Sequence, residues 1–341
     1  MRFFAALFLA VFFTWGAQTP AAAATLQGAG STFTAPLYQR WSETFLGDRP
    51  LDRIQYDAVG SGEGLSRLAA GKIDFAGSDV CPVPNASRPK TICLPVTAGA
   101  VVPIFNVPGV AVDLRLTPKV LAAIYRGEIT HWNDPAIRES NHGIPLPARE
   151  IIVVHRADSS GTTFAFTDYL SKVDDTWREK FGASFTLAWP VGQSATGNDG
   201  MAGLVEKTPG SIGYVELLYA LRHRLGTIAV RNAAGRFVRA DLESVAAAAE
   251  TAAPASRTDQ PADAITNAPG AKAYPIATFS WIVVPEQSGD PAKRQLLIDF
   301  LIWILDIGQR QAAGLGYVAI PDKVLQVERA VLMQLRGVQL R

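Results

Sequence analysis

Three short stretches of this sequence gather glycine, hydroxyl and charged residues where a strand-like run gives way to a helix-like one. The first is Gly28-Ala29-Gly30-Ser31-Thr32-Phe33. It falls short of a dinucleotide fingerprint because Phe33 stands where the third glycine belongs, and no Walker ending follows it. The second, Val59-Gly60-Ser61-Gly62-Glu63-Gly64, sets Ser61 among glycines that let backbone N–H groups come close to a ligand. It is not the G-x-S-x-G nucleophile elbow. The third runs from Val153 through His155, Arg156, Ala157, Asp158, Ser159, Ser160, Gly161 and Thr162 to Phe164. Here Arg156 offers a planar, permanently charged donor fork, and Ser160, Gly161 and Thr162 add donors at the positive end of a helix. Asp158, two residues on, is placed to hold the guanidinium. Each loop alone reads equally well as an ordinary helix cap. Together they point to an anion.

Asp79 does not fit a plain anion site. It closes the run Gly77-Ser78-Asp79, and a carboxylate beside a bound anion repels it unless the anion brings a proton to donate. Hydrogen phosphate and dihydrogen phosphate carry such a proton near neutral pH; sulfate does not. One carboxylate acceptor therefore separates two oxyanions of similar size, since an unpaired buried charge costs several kcal/mol.

Composition narrows the remaining classes. The 341 residues carry 32 Lys plus Arg against 31 Asp plus Glu, and Arg2 is the sole charge in the first 24. A neutral chain is a poor nucleic-acid binder, which needs a basic surplus to release counterions. At 48% hydrophobic and 18% charged, the sequence is rich enough to fold around ample core, in about two domains. Arg2, the apolar run from Phe3 to Trp15, and Ala22 and Ala24 before Thr25 form the pattern of a cleavable secretory signal over 1–24. The first cysteine after it is Cys81, so a lipid-bearing N-terminal cysteine is not expected, and a periplasmic product is. In that oxidising compartment Cys81 and Cys93 are a candidate disulfide, or else two small core residues. His131, His142, His155 and His223 show no metal-ligand spacing, so no metal or cofactor is expected.

These loops hang on a regular scaffold. Residues 54–59, 73–76, 101–105, 151–154, 212–215 and 279–284 read as strands. Helical patterns cover 65–70, 119–125, 162–170, 201–207, 295–305 and 323–335. Strands alternating with helices give an α/β fold. The Ala- and Pro-rich segment 244–271 reads as a surface excursion.

At these residues the sequence resembles the periplasmic phosphate-binding proteins of phosphate-specific ABC transporters. The matching stretches are GAGSTFTAPLYQRW from Gly28, VGSGEGLSRLAAGKIDFAGSD from Val59, HRADSSGTTFAFTDYL from His155 and GNDGMAGLVEKTPGSIGYVE from Gly197. The resemblance implies a two-domain Venus-flytrap fold, each domain a central sheet flanked by helices, with two crossovers in the hinge. They are expected near 102–106 and 273–278, giving domain I as 25–103 with 276–341 and domain II as 104–275. It also implies that phosphate is held by Thr32, Phe33 (through its N–H), Ser61, Asp79, Arg156, Ser160, Gly161 and Thr162, with Asp158 pairing the arginine. The chain would then be a monomeric, non-enzymatic carrier serving an inner-membrane phosphate permease and its ATPase. A secreted phosphatase or phosphotransferase, or a binder of another oxyanion, is the alternative. The Cys81–Cys93 stretch departs from the family pattern.

Overall fold

A computed structural model describes residues 23–82, 90–252, 265–287 and 289–335; the expected export signal falls almost wholly outside them. Strand β1 (Thr25–Gly30) leads into helix α1 (Ala35–Phe45), and β2 (Arg53–Ala58) into α2 (Ser61–Ala69), before β3 (Phe75–Ser78) and the long β4 (Thr91–Asn106). Then follow β5 (Leu114–Leu116), α3 (Pro118–Tyr125), α4 (Pro135–Glu139), β6 (Ile152–Arg156), α5 (Gly161–Val173) and α6 (Asp175–Lys180). Next are β7 (Gln193–Ala195), α7 (Gly197–Lys207), β8 (Ser211–Glu216), α8 (Leu217–Arg222), β9 (Gly226–Arg231), β10 (Phe237–Val238) and α9 (Leu242–Ala249). The chain closes with β11 (Ala277–Pro285), α10 (Pro291–Trp303), α11 (Gln309–Ala312) and α12 (Asp322–Leu335).

The strands are ordered β2-β1-β3-β11-β4-β8-β6-β7, with β9 joining β4 to β5 and β10. Strand β4 belongs to both halves of this order. Its residues Thr91–Ala100 pair antiparallel with β11, whereas Val101–Asn106 pair antiparallel with β8. The partner therefore changes between Ala100 and Val101, and β11 begins at Ala277 across from that point. Two sheet halves result, each flanked by helices: an α/β fold of two lobes.

Each lobe has its own aromatic core. In the first, Phe45 packs on Phe300 at 5.2 Å between ring centres, and Tyr38 on Phe75 at 6.0 Å. In the second, Phe166 stacks on Tyr214 at 4.3 Å, with Tyr125 4.7 Å from Phe166. Tyr38 lies in α1, just past the first loop, and Phe166 in α5, just past the third, so packing fixes where those two loops are anchored.

The fold departs from the sequence reading in one place and decides between its two alternatives in another. The described part of 244–271 is not peripheral: α9 packs on β4 and β11, burying Val245, Ala248 and Ala249. Cys81 and Cys93 are joined by a disulfide with Cα atoms 5.9 Å apart. It ties the chain just past Asp79 to the start of β4, a closure worth about 3 kcal/mol for a loop of this size.

Candidate functional site

Both loops of the first lobe converge on Asp79, at the end of β3. Gly30 leaves β1 at φ +138°, and a Cβ there would lie 2.1 Å from the Gly77 carbonyl oxygen, so only glycine permits this close approach of β1 to its parallel neighbour β3. The Ser31 amide then donates to that same Gly77 carbonyl at 2.8 Å. Ser31 Oγ donates to the Asp79 carboxylate, 2.7 and 2.8 Å from its two oxygens, and accepts from the Phe33 amide at 3.0 Å. Ser61, opening α2, accepts the Asp79 amide at 3.3 Å. From β11, Ser280 Oγ donates to Asp79 Oδ1 at 2.8 Å. Asp79 is only 3% exposed. Burial pushes its carboxyl up to about 6, against the lowering pull of Ser31, Ser280, the Arg156 charge and Ser61. The group sits at the edge of ionisation near neutral pH.

The second lobe brings up the cations and donors. Arg156, at the end of β6, donates through Nε to Asp158 Oδ1 at 2.7 Å and pairs through Nη2 with Asp158 Oδ2. Asp158 also accepts the Gly197 amide at 3.0 Å. Burial works to raise the Asp158 carboxyl, but the Arg156 hydrogen bonds and charge, with the Gly197 N–H, leave it below the usual range. Arg156 Nη2 reaches across the cleft to Thr32 Oγ1 at 3.3 Å. Among the described residues, Arg156 Nη1 is buried with no hydrogen-bond partner. A buried, unpaired guanidinium N–H is costly. Its position implies an acceptor from outside the protein.

Ser160 caps α5 by accepting the Thr163 amide at 3.1 Å, which leaves the first-turn amides after it without an intrahelical acceptor. Gly161 starts that helix against the opposite lobe: a Cβ there would stand 2.3 Å from Ser61 Oγ and 2.6 Å from Asp79 Oδ2. Gly62 donates its amide to the Ser159 carbonyl at 3.1 Å, another bond between lobes. Converting Gly161 to Ala should therefore wedge the cleft and weaken anion binding by about tenfold or more, with little change in thermal stability, because the lobes need not close to stay folded. Titration calorimetry beside a melting curve checks this; an unchanged affinity would mean that α5 does not close onto Asp79.

Thr32, Phe33, Ser61, Asp79, Arg156, Ser160, Gly161, Thr162 and Asp158 thus lie around one cleft, though the Phe33 N–H is taken by Ser31 and Ser160 Oγ by its cap. Residues absent from the sequence-based set are here too. Asn198 bridges Thr32 and Thr162, and Tyr219 and Tyr317 donate to the carbonyls of Thr32 and Phe33 at 2.7 and 2.6 Å. Asn198 follows the Gly197 that opens a recognisable stretch, so a sequence signal existed. Ser31 sat inside the first loop without a role of its own, and Ser280 lies mid-strand with no local signal at all.

Residues 16–306 match the family model described as a PBP superfamily domain. The chain is 40% identical over 304 residues to the phosphate-binding protein PstS of Xylella fastidiosa, covering 88% of this chain and 83% of that one. With PstS of Pasteurella multocida it shares 38% identity over 323 residues, covering 94% and 93%. Among solved structures, a phosphate-binding protein from Stenotrophomonas maltophilia superposes with a TM-score of 0.68 over 90% of this chain and 93% of its own. At 21% identity that likeness speaks for the fold alone.

Proposed function

The chain belongs to the phosphate-binding proteins of the PBP superfamily, and from that premise we propose that it captures inorganic phosphate between its lobes and hands it to an ABC-type importer. The observation that carries this reading is the pairing of opposites in one cleft. Arg156 Nη1 is buried and unpaired, while Asp79 is a buried carboxyl with its Oδ2 edge turned to Gly161. A fully charged anion satisfies the first and offends the second. An anion that keeps one proton satisfies both.

Phosphate would be held by Thr32, Phe33, Ser61, Asp79, Arg156, Ser160, Gly161 and Thr162, with Asp158 fixing the guanidinium. Domain I would comprise 25–103 with 276–341 and domain II 104–275. The partner change in β4 at Ala100/Val101 and the start of β11 at Ala277 support that division to within a few residues. The protein acts as a monomeric carrier rather than an enzyme, feeding an inner-membrane permease and its ATPase; the names of its relatives are those of binding proteins. Export to the periplasm through a signal over 1–24 agrees with β1 beginning at Thr25. It agrees too with the described residues, in which no helix is long and apolar enough to cross a membrane.

Calorimetric titration with phosphate, repeated in a large excess of sulfate, tests the reading. Binding at micromolar affinity or better, unmoved by sulfate, is the expected result. Absence of heat with phosphate, or equal competition by sulfate, would remove it.

A further inference from the structure

Asn198 is buried between the two threonines that face each other across the cleft, and hydrogen-bond accounting gives it a definite task. Its Oδ1 lies 2.9 Å from the Glu216 amide. A backbone N–H only donates, so the atom facing it must be the oxygen and the Asn198 amide cannot be turned over. Nδ2 then faces Thr32 Oγ1 at 2.9 Å and Thr162 Oγ1 at 3.2 Å, one N–H for each. Thr32 Oγ1 also receives Arg156 Nη2 and the Asn198 backbone amide, both at 3.3 Å. None of these groups can accept. A hydroxyl has two lone pairs and one hydrogen; three donors share the two lone pairs of Thr32, the Asn198 side chain being the nearest, so its hydrogen is left for whatever occupies the cleft. Thr162 is steered the same way by one N–H.

Resting on the phosphate-binding reading above, we propose that Asn198 is a positioning residue that locks the Thr32 and Thr162 hydroxyls as donors toward the bound anion. An unrestrained hydroxyl can rotate and accept a hydrogen bond from a proton that the ligand keeps; a locked one cannot. Asn198 therefore governs how many protons the bound anion keeps, leaving Asp79 to take the hydrogen bond from one of them. Glu216 enters through its backbone amide, which sets the orientation of Asn198.

The test pairs two variants with a proton count. Phosphate is titrated into the full chain near pH 6.5 in two buffers of different ionisation enthalpy, which yields the protons released on binding. Asn198→Ala frees the Thr162 hydroxyl and takes from Thr32 the nearest of its three donors, so phosphate affinity should fall about tenfold and fewer protons should be released than with the unaltered chain. Asn198→Asp keeps the shape and the acceptor for Glu216 but replaces the donor with a carboxylate that draws both hydroxyl hydrogens toward itself. It should lose at least about a hundredfold at pH 8. Reduced affinity with an unchanged proton count in Asn198→Ala would mean a merely structural residue and overturn the proposal, as would near-normal binding by Asn198→Asp. Failure of the unaltered chain to bind phosphate would instead overturn the reading on which the proposal rests.

Discussion

Replacing Arg156 by alanine should weaken phosphate binding by about a thousandfold or more while the protein stays folded. The side chain supplies the buried Nη1, which has no partner among the described residues and carries two N–H groups to give to an anion. Hydrogen bonds to a charged group contribute about 1.5–3 kcal/mol each. Loss of two is roughly 4 kcal/mol, or three decades in affinity. A second effect adds to this. Asp158 would keep its negative charge beside the cleft with only backbone amides, those of Gly197 and of Asp158 itself, among the described residues to balance it, and would repel the incoming anion. Arg156→Lys should recover part of the loss, because it restores charge but not the fork that engages Asp158 and the cleft at once. Asp158→Asn should be milder still, since it loosens the guanidinium without removing it. Calorimetry on the three variants gives the ranking directly. A loss below tenfold for Arg156→Ala would show that the anion is not held by this guanidinium.

How much of this was legible in the sequence depends on how local each signal is. The three loops could be read because glycine, hydroxyl and helix-start signals all fall within a few residues. Gly60, at φ +93° with its amide on the Gly30 carbonyl, is the kind of position that leaves such a mark. Asp79 stood out because its charge is wrong for an anion site. Ser280 was hidden: its bond to Asp79 joins residues 201 apart, and within Phe279–Val284 it looks like a small residue in an apolar strand. Strand β4 was read at a third of its length. Pro95 and Gly99 break the usual strand signature ahead of Val101, and burial along almost the whole strand removes any alternation. The same lack of alternation moved β3, read at 73–76 and found at Phe75–Ser78 with every residue buried. Tyr219 and Tyr317 were invisible for a different reason. They grip backbone carbonyls, and nothing in a sequence says which carbonyl a tyrosine will find.

Changing Asp79 to asparagine should cost function and improve stability in the same variant. On the functional side, the carboxylate accepts the ligand's proton, and against sulfate its lone pairs face lone pairs at a cost of several kcal/mol. An asparagine can turn its amide hydrogens to an anion that brings no proton, so the preference for phosphate over sulfate should shrink by about a hundredfold or more. Phosphate affinity in the unaltered protein should also fall as pH drops below about 6, where Asp79 takes up a proton from water and can no longer accept the ligand's. On the stability side, the carboxyl is raised from 3.8 unfolded to about 6 folded. The folded state therefore binds the proton more tightly, and the contribution is full below pH 3.8 and lost as pH rises through 6. Two pK units correspond to about 3 kcal/mol, the cost of keeping this buried group ionised at neutral pH. Asp79→Asn removes that cost, so ligand-free protein should melt higher than the unaltered chain at pH 7–8, with the difference closing toward pH 4. Melting curves across that range and paired phosphate and sulfate titrations give both halves. A variant that still rejects sulfate would strip Asp79 of its reading role. One that gains no stability above pH 6 would mean that the carboxylate is not held against its own desolvation. A site that keeps an unfavourable charge in place without ligand is one whose chemistry, and not whose folding, requires it.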